Sequence, residues 1–503
     1  MRSLFFLGTA LIISQLLVAQ TLNDVIYLTQ SGLNGSARYT SMAGAFGALG
    51  GDLTAISDNP ASSSVFLNTE VGGSLNFQSR ENNGMFFGET KSNSEENFYF
   101  DQFGAVFIFN NTNEESSWTR ISAAINVNRI NNYDQKASIS GINKTGVSEY
   151  FLHFANGIAF EEIQLYDDES ISDIYRYLGD EIGFGAQQAF LGYQSYIIDP
   201  LSLNNQEKSY LSNVSSGKYR QNLDILNNGL HRKISFNFSA LYKNTLHLGA
   251  NINRHKIEFR NEQKFFEGDQ GLDSFIYDIN FNNDLISYGD GFSIQFGGIL
   301  KFNNLRLGIS YDSPQWIDIQ DETQQKISAY RFEESLEIQE IINPDITNFY
   351  LPYRLKIPSK TSLSLAYVFN QIGLFSLEYS NQNLSNSMLS QESVSEFLNN
   401  VNNEVNNSLN ALNTIKIGSE YRLRNISFRA GYLYQTKNQD FIMNDNQAIT
   451  FGIGFDFGAS NMNLSFVNFQ QNQGLKLFSN GLTTPYEISK NLTQLTLSYN
   501  FKL

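Results

Sequence analysis

Leu495-Thr-Leu-Ser-Tyr-Asn-Phe-Lys-Leu503, the last nine residues, decides how the rest of the sequence is read. Leu495, Leu497, Tyr499, Phe501 and Leu503 fall on one side of an extended chain, and Thr496, Ser498, Asn500 and Lys502 on the other. Successive side chains on a strand point to opposite faces, so strict alternation marks a strand with one apolar and one polar side.

The other end agrees with an exported chain. Arg2 supplies a basic start, Leu4 to Val18 form a mostly apolar run, and Leu17-Val18-Ala19 is an acceptable cleavage site before Gln20. Residues 1–19 are therefore expected to be a secretory signal peptide, which leaves a mature chain of about 484 residues. The mature part has no cysteine for lipid attachment and no apolar run long enough to cross a membrane as a helix. Aromatic residues make up 14% of the sequence, yet mean hydropathy is negative. Barrels combine these traits because lipid-facing and lumen-facing residues alternate, with aromatic girdles added at both interfaces. The sequence has only seven prolines, which suits long ladders that proline would interrupt. A net charge of −16 without basic stripes excludes nucleic acid as a partner.

Read backward from Leu503, alternating segments recur. They fall near 462–466, 449–457, 426–434, 415–423, 373–382, 359–370, 305–313, 289–303, 245–258 and 232–243, then near 119–131, 98–110 and 70–80. With the final strand they total about fourteen. Short links at Lys243-Asn244, Asn303-Asn304, Asn370-Gln-Ile372, Arg424-Asn425 and Gly458-Ala-Ser460 alternate with long loops at 81–97, 132–231, 259–288, 314–358, 383–411, 438–446 and 471–489. An even count with short turns on one side and long loops on the other predicts an all-β fold, a transmembrane antiparallel β-barrel over residues 67–503. A chain ending on such a strand is similar to the terminal strand of bacterial outer-membrane barrels, where that segment also serves the barrel-assembly machinery as a signal. The expected location is the cell outer membrane of a Gram-negative bacterium, with outer-membrane lipid around the wall.

Residues 20–66 do not read as wall. Gly35-Ser-Ala-Arg-Tyr-Thr-Ser-Met-Ala-Gly-Ala-Phe-Gly-Ala-Leu-Gly-Gly51 is dominated by small residues, and Asp58-Asn59-Pro60-Ala61-Ser62 follows. Small side chains allow close backbone packing and Asn-Pro favours a turn, so a plug in the lumen is expected. A flexible periplasmic linker is the competing reading; the apolar Leu49, Leu53 and Ile56 count against it. Together with Leu307-Gly-Ile-Ser-Tyr-Asp-Ser-Pro314, Ile415-Lys-Ile-Gly-Ser-Glu-Tyr421 and Phe428-Arg-Ala-Gly-Tyr432, these stretches resemble the FadL/TodX family of outer-membrane transport proteins for hydrophobic compounds. The resemblance covers nearly the whole mature chain. It implies a fourteen-stranded barrel and an N-terminal hatch whose Asn-Pro-Ala motif corresponds to Asn59, Pro60 and Ala61. It also implies lateral exit through an inward kink in the third strand. Here the chain departs, because Thr119 to Asn131 contains neither glycine nor proline.

Short helices are expected in the outward loops. Val394, Phe397, Leu398, Val401, Val405, Leu409 and Leu412 recur at helical steps, with Ser393 three before Glu396 as in a capping box. This face either lines an apolar groove, with Phe397, Leu398, Val401 and Val405 as ligand contacts, or packs on a neighbouring loop. Ile171, Ile174, Tyr175, Leu178 and Ile182 suggest a second helix within 132–231. His247 and His255 share the polar face of one strand, while His153 and His231 lie in or beside the long loop. Some relatives carry haem-receptor labels, and histidine can ligate haem iron, but isolated histidines on a polar face are more often hydrogen-bonded bystanders. Glu267-Gly-Asp-Gln-Gly-Leu-Asp273 lacks EF-hand spacing, so no metal ligands are assigned. No Gly-x-Ser-x-Gly occurs, so no catalytic residues and no cofactor are assigned and the chain reads as a non-enzyme.

The resemblance implies a porin-like channel for passive, hatch-gated uptake of small hydrophobic molecules such as long-chain fatty acids and other lipids. The alternatives are an outer-membrane scaffold barrel, whose loop 132–231 is large enough to bind an envelope protein partner in secretion or assembly, a haem or hemin receptor, and a hydrolase with a Ser/His or Asp/His pair at the rim.

Overall fold

A computed structural model describes residues 20–113, 115–268, 274–333, 336–391 and 396–503. The expected leader at 1–19, the expected Ser393 capping box and most of the 267–273 loop lie outside the described residues.

Fourteen strands close into a barrel. We number the barrel strands β1 (Glu70–Phe86), β2 (Glu89–Asn110), β3 (Trp118–Asn132), β4 (Tyr219–Tyr242), β5 (Leu246–Gly268), β6 (Ile276–Phe302) and β7 (Leu305–Asp312). The second half comprises β8 (Lys360–Phe369), β9 (Gly373–Asn383), β10 (Ala411–Leu423), β11 (Ile426–Gln435), β12 (Asn446–Asp456), β13 (Ser460–Lys476) and β14 (Pro485–Lys502). Each pairs antiparallel with its sequence neighbour. The ring closes where β14 pairs with β1, from Glu70 opposite Lys502 to Met85 opposite Glu487. These match the fourteen alternating segments one for one. Lys243, Asn244, Asn303, Asn370 and Arg424 all have positive φ, as tight turns between twisted strands require.

Burial is inverted relative to a soluble protein. On β14, Leu495, Leu497, Tyr499 and Phe501 are 40–52% exposed, while Thr496, Ser498 and Asn500 between them are buried. The same holds on β2, where Phe98, Phe100, Phe103, Phe107 and Phe109 stand outward, and on β12, where Ile449 and Phe451 do. A continuous apolar outer belt of this extent needs hydrocarbon against it. Among the described residues no helix is long and apolar enough to cross a membrane, so the strands do so.

Several expected loops are largely strand. Residues 81–97 form the upper part of the β1–β2 hairpin around Phe87-Gly88, and much of 259–288 and 471–489 extends β5, β6, β13 and β14. Above the belt the outer face meets water and the apolar residues turn inward to a buried cluster, so the outward period-two hydrophobicity disappears while the ladder continues. A further strand, Gln315–Glu333, pairs with the upper part of β6, and Leu336–Ile342 and Tyr353–Ile357 pair with it in turn.

Candidate functional site

Residues 20–66 run through the barrel lumen from its outer end to the foot of β1. Helix α1 (Leu22–Leu28) opens on a capping box in which the Thr21 hydroxyl accepts from Asp24 N–H and Asp24 accepts from Thr21 N–H. It packs at the outer end, with Tyr27 against Phe259 at 5.2 Å. From there the chain descends in short turns, and backbone groups left over by those turns are met by polar side chains of the wall. Asn251 donates to Ile56 O at 2.8 Å, Asn237 to Pro60 O at 2.8 Å and Arg306 to Leu49 O at 2.7 Å. Ser498 accepts from Ala37 N–H at 2.6 Å, and Glu378 from Gly47 N–H at 2.9 Å.

Asn59 is fully buried at the centre of this packing. Its side-chain oxygen accepts from Ala61 N–H at 3.1 Å, and its amide donates to Gly47 O at 2.7 Å. Longer bonds of 3.3 Å reach Gly298 O and Ile309 O on β6 and β7. Pro60 then begins a 3-10 helix, Pro60–Val65, capped by Asn59, and Ala61 packs beside Gly249. Wall glycines are essential to this fit. A Cβ on Gly431 would stand 2.5 Å from the Met42 carbonyl carbon, and one on Gly308 or Gly249 would strike the Gly47 or Pro60 carbonyl oxygen. These positions were visible in the sequence only as glycines on the polar side of β5, β7 and β11.

Ion pairs add a second tie. Asp58 lies 3.6 Å from Lys416 and 4.0 Å from Lys360 and accepts a short hydrogen bond from the Tyr39 hydroxyl. Burial alone would raise the Asp58 carboxyl, but Lys416 and Lys360 outweigh it and hold the group down to about 2. Lys416 also meets Glu378 at 2.9 Å, and Lys360 meets Asp312 at 3.3 Å. Lower down, Glu420 gathers Arg38, Arg422 and Arg429.

The outer end differs in chemistry. Helices α2 (Ser148–Ala155) and α3 (Phe184–Gln194) roof the barrel, joined by α4 (Glu396–Ser408), and all three contribute to one large apolar cluster with α1. Beside it lies a cavity of about 130 Å³ with an aromatic wall of Tyr27, Tyr150, Phe154, Phe184 and Phe478 and a polar one of Asn and Gln side chains with Asp24 and Asp284. Leu398, Val401 and Val405 are buried in the cluster but do not line this cavity; the side chain of Phe397 lies outside the described residues. The expected second helix is present as Ile171–Tyr177 and continues as a wider turn to Ile182.

The wall is interrupted between β2 and β3. Their ladder runs from Asn110 opposite Arg120 to Gln102 opposite Asn128 and stops there, although β1 stays paired with β2 to Glu89. Above the stop, β3 slips register against β4 between Arg129 and Asn131, and ends at Asn132. The chain resumes as Gln135–Asn143, still paired with β4 but crossing the inner face of β1, where Asn82 donates to Lys136 O at 2.8 Å. The glycine of this bend sits on the facing strand. Gly229 of β4 has φ 119° and a backbone approach that leaves no room for a Cβ, and it accepts from Tyr133 N–H at 3.0 Å and donates to Asp134 at 3.1 Å. Polar contacts bridge the gap. Arg129 pairs with Asp101 and lies over the Tyr99 ring at 4.3 Å, while Tyr99 donates to Asp134 at 2.5 Å. Phe98 and Phe100 remain outward and exposed beside the gap, which places it in the upper part of the apolar belt. A lumenal cavity of about 180 Å³, lined by Tyr39, Asp58, Lys360 and Lys416, reaches Asn128, Arg129 and Ile130 at the edge of the gap.

Three of the four histidines are bound up in the wall. His231 and His255 hydrogen-bond each other at 2.9 Å, His255 reaches Ser293 at 2.8 Å, and His247 reaches Ser64 at 2.8 Å. His153 stacks edge-on against Phe154 on α2. No group of three or more His, Asp or Glu side chains suited to a metal ion occurs among the described residues.

A closed fourteen-stranded barrel with an apolar belt and a polar, occupied lumen defines an outer-membrane β-barrel. The sequence matches no protein-family model and no curated protein. Solved structures do match. The P. putida toluene transporter TodX is 13% identical, over 94% of this chain and 99% of that one, with a TM-score of 0.52. A Pseudomonas aeruginosa FadL homologue is 10% identical, over 94% and 99%, with a TM-score of 0.54. The chain therefore has the FadL/TodX-type fold.

Proposed function

We propose that this barrel is a passive channel for uptake of small hydrophobic molecules across the outer membrane, long-chain fatty acids among them, with residues 20–66 as its hatch. The observation that carries this reading is the contrast within one lumen. Its middle is lined by Asn, Ser, Lys and Asp, whereas its outer end holds an aromatic cavity large enough for part of a small apolar ligand. An apolar solute gains about 0.8 kcal/mol for each methylene it buries there, and less lower down, where Asp58, Lys360 and Lys416 share the lining with the apolar side chains. Movement of the segment around Asn59 and Asp58 then lets it reach the gap between β2 and β3, which opens on hydrocarbon. The names of the two structural neighbours, a toluene transporter and a FadL homologue, support the same class of cargo.

Equilibrium dialysis of purified protein against laurate and toluene tests the reading. Saturable binding is expected for at least one of them, weakened tenfold or more by Phe184→Asp or Phe478→Asp. Absence of saturable binding to any apolar probe, with the barrel intact by heat modifiability, would reject it.

A further inference from the structure

Gln20 is 2% exposed at the outer end of the lumen, and its side-chain amide donates to Asp321 Oδ2 at 3.1 Å. Asp321 is itself 2% exposed, and its Oδ1 makes no hydrogen bond of good geometry, the Ser287 and Tyr353 hydroxyls lying beside the carboxyl. One turn further on, Asp24 accepts from Thr21 N–H and from the Thr21 hydroxyl, each at 2.8 Å. Burial and the neighbouring Asp321 push Asp24 up to about 7. The nearby titratable groups are acidic or neutral: Tyr353 faces both carboxyls, and no lysine, arginine or histidine acts on either among the described residues. Two carboxyls buried together without a cation are costly, and a single fixed positive charge would relieve both.

The chain can make that charge at this spot. A leader cut between Ala19 and Gln20 is hydrolysed at one peptide bond: water gives the leader its new carboxylate, and the freed Gln20 nitrogen takes a proton to become an ammonium. That nitrogen is about 3–4 Å from the Thr21 nitrogen by covalent geometry, and the Thr21 N–H already touches Asp24. It also belongs to the residue whose side chain touches Asp321. We propose that the α-ammonium of Gln20 is the counter-ion of the Asp24–Asp321 pair, so that leader cleavage completes the seat of α1 in the outer end of the lumen. This rests on the reading of residues 1–19 as a cleaved leader. In an uncleaved chain the same nitrogen is a neutral amide and the acids remain unbalanced, which ties processing to closure of the outer end. It also requires that Gln20 keep an open amine, because cyclisation, in which the amine attacks the side-chain amide and expels ammonia, yields a neutral lactam.

The test is amine acetylation of folded, membrane-extracted protein, followed by mass spectrometry of the N-terminal peptide. The start of that peptide decides the leader boundary by itself; a mature chain beginning elsewhere overturns both the boundary and the ion pair. With Gln20 first, a free amine is expected that acetylates at least tenfold more slowly in folded than in urea-unfolded protein. Asp24→Asn and Asp321→Asn should each bring the folded rate most of the way to the unfolded one, while Asp321→Glu should keep it slow, all in barrels that remain heat-modifiable. A lactam at Gln20, a folded rate equal to the unfolded rate, or Asn variants that react like the parent would overturn the assignment with the leader reading intact.

Discussion

The wall and the segment it encloses satisfy their backbones in opposite ways. Each wall strand pairs with both neighbours across the belt, apart from the gap between β2 and β3, so the ladder closes on itself and side chains are left free to match lipid outside and polar groups inside. Residues 20–66 have no ladder. Their turns satisfy part of the backbone, Asn237, Asn251, Arg306, Glu378 and Ser498 of the wall answer further carbonyls and amides, and their bulk is admitted by wall glycines. Damage to the wall should therefore abolish assembly, while damage to the inner contacts should leave an assembled barrel that leaks.

The largest effect is expected on the wall. Replacing Tyr499, Phe501 and Leu503 together with Asp places three charges on the lipid side of β14, at a cost of up to ~2 kcal/mol each depending on depth, and at the strand that closes the ring. Heat-modifiable, membrane-inserted protein should be lost; normal insertion would contradict the assignment of that face to lipid.

Next comes the contact between wall and segment. Gly431→Leu should insert and run normally on gels, yet show conductance several-fold above wild type in planar bilayers, because its side chain occupies the space of Met42 and Ala43. An unchanged conductance would mean the segment yields without moving. A smaller leak, seen as brief openings, is expected of Asp58→Asn, which takes from Lys416 and Lys360 their tie to the segment while leaving each its wall partner, Glu378 or Asp312. The pH dependence follows from the same residue. Asp58 is held below its unfolded value of about 3.9, so its stabilisation is complete above that pH and drains away as pH falls toward about 2. Wild type should stay closed from about pH 8 to 5 and begin to flicker only below about pH 4; openings that grow between about pH 7 and 5 would assign the lock to another group.

The smallest effect concerns the gap. Asp101→Asn removes the partner of Arg129 across it, and should raise flux of an apolar probe about two-fold while leaving ionic conductance unchanged. A rise in ionic conductance instead would show that this pair holds the lumenal segment and not the gap.

The wall was legible because lipid outside and polar groups inside impose a period of two on every strand. Where that contrast ends, so did legibility: residues 81–86, 89–97, 471–476 and 485–489 are strand without an outward apolar face, and their few apolar side chains, such as Phe86, Leu475 and Ile488, turn inward. The interruption beside β3 was hidden for a different reason. The residue that allows it, Gly229, lies on the neighbouring strand, and the register slip is a property of the pair. The position of Asn59-Pro60-Ala61 against Gly249 and Gly297 could not be read from spacing, since it joins residues about 190 to 240 apart. Likewise, the aromatic cavity draws on α1, α2, α3 and the β13–β14 link, which share no local pattern.

Deleting residues 20–66 while keeping the leader tests most directly whether this segment closes the lumen. The ladders and the outer belt lie elsewhere, so an assembled, heat-modifiable barrel is expected, with a water-filled lumen lined by Asn237, Ser310, Lys416 and Arg429. Conductance in planar bilayers should rise sharply over that of the intact protein, and hydrophilic solutes should enter. A deletion variant that inserts normally and conducts no more than the intact protein would contradict the account.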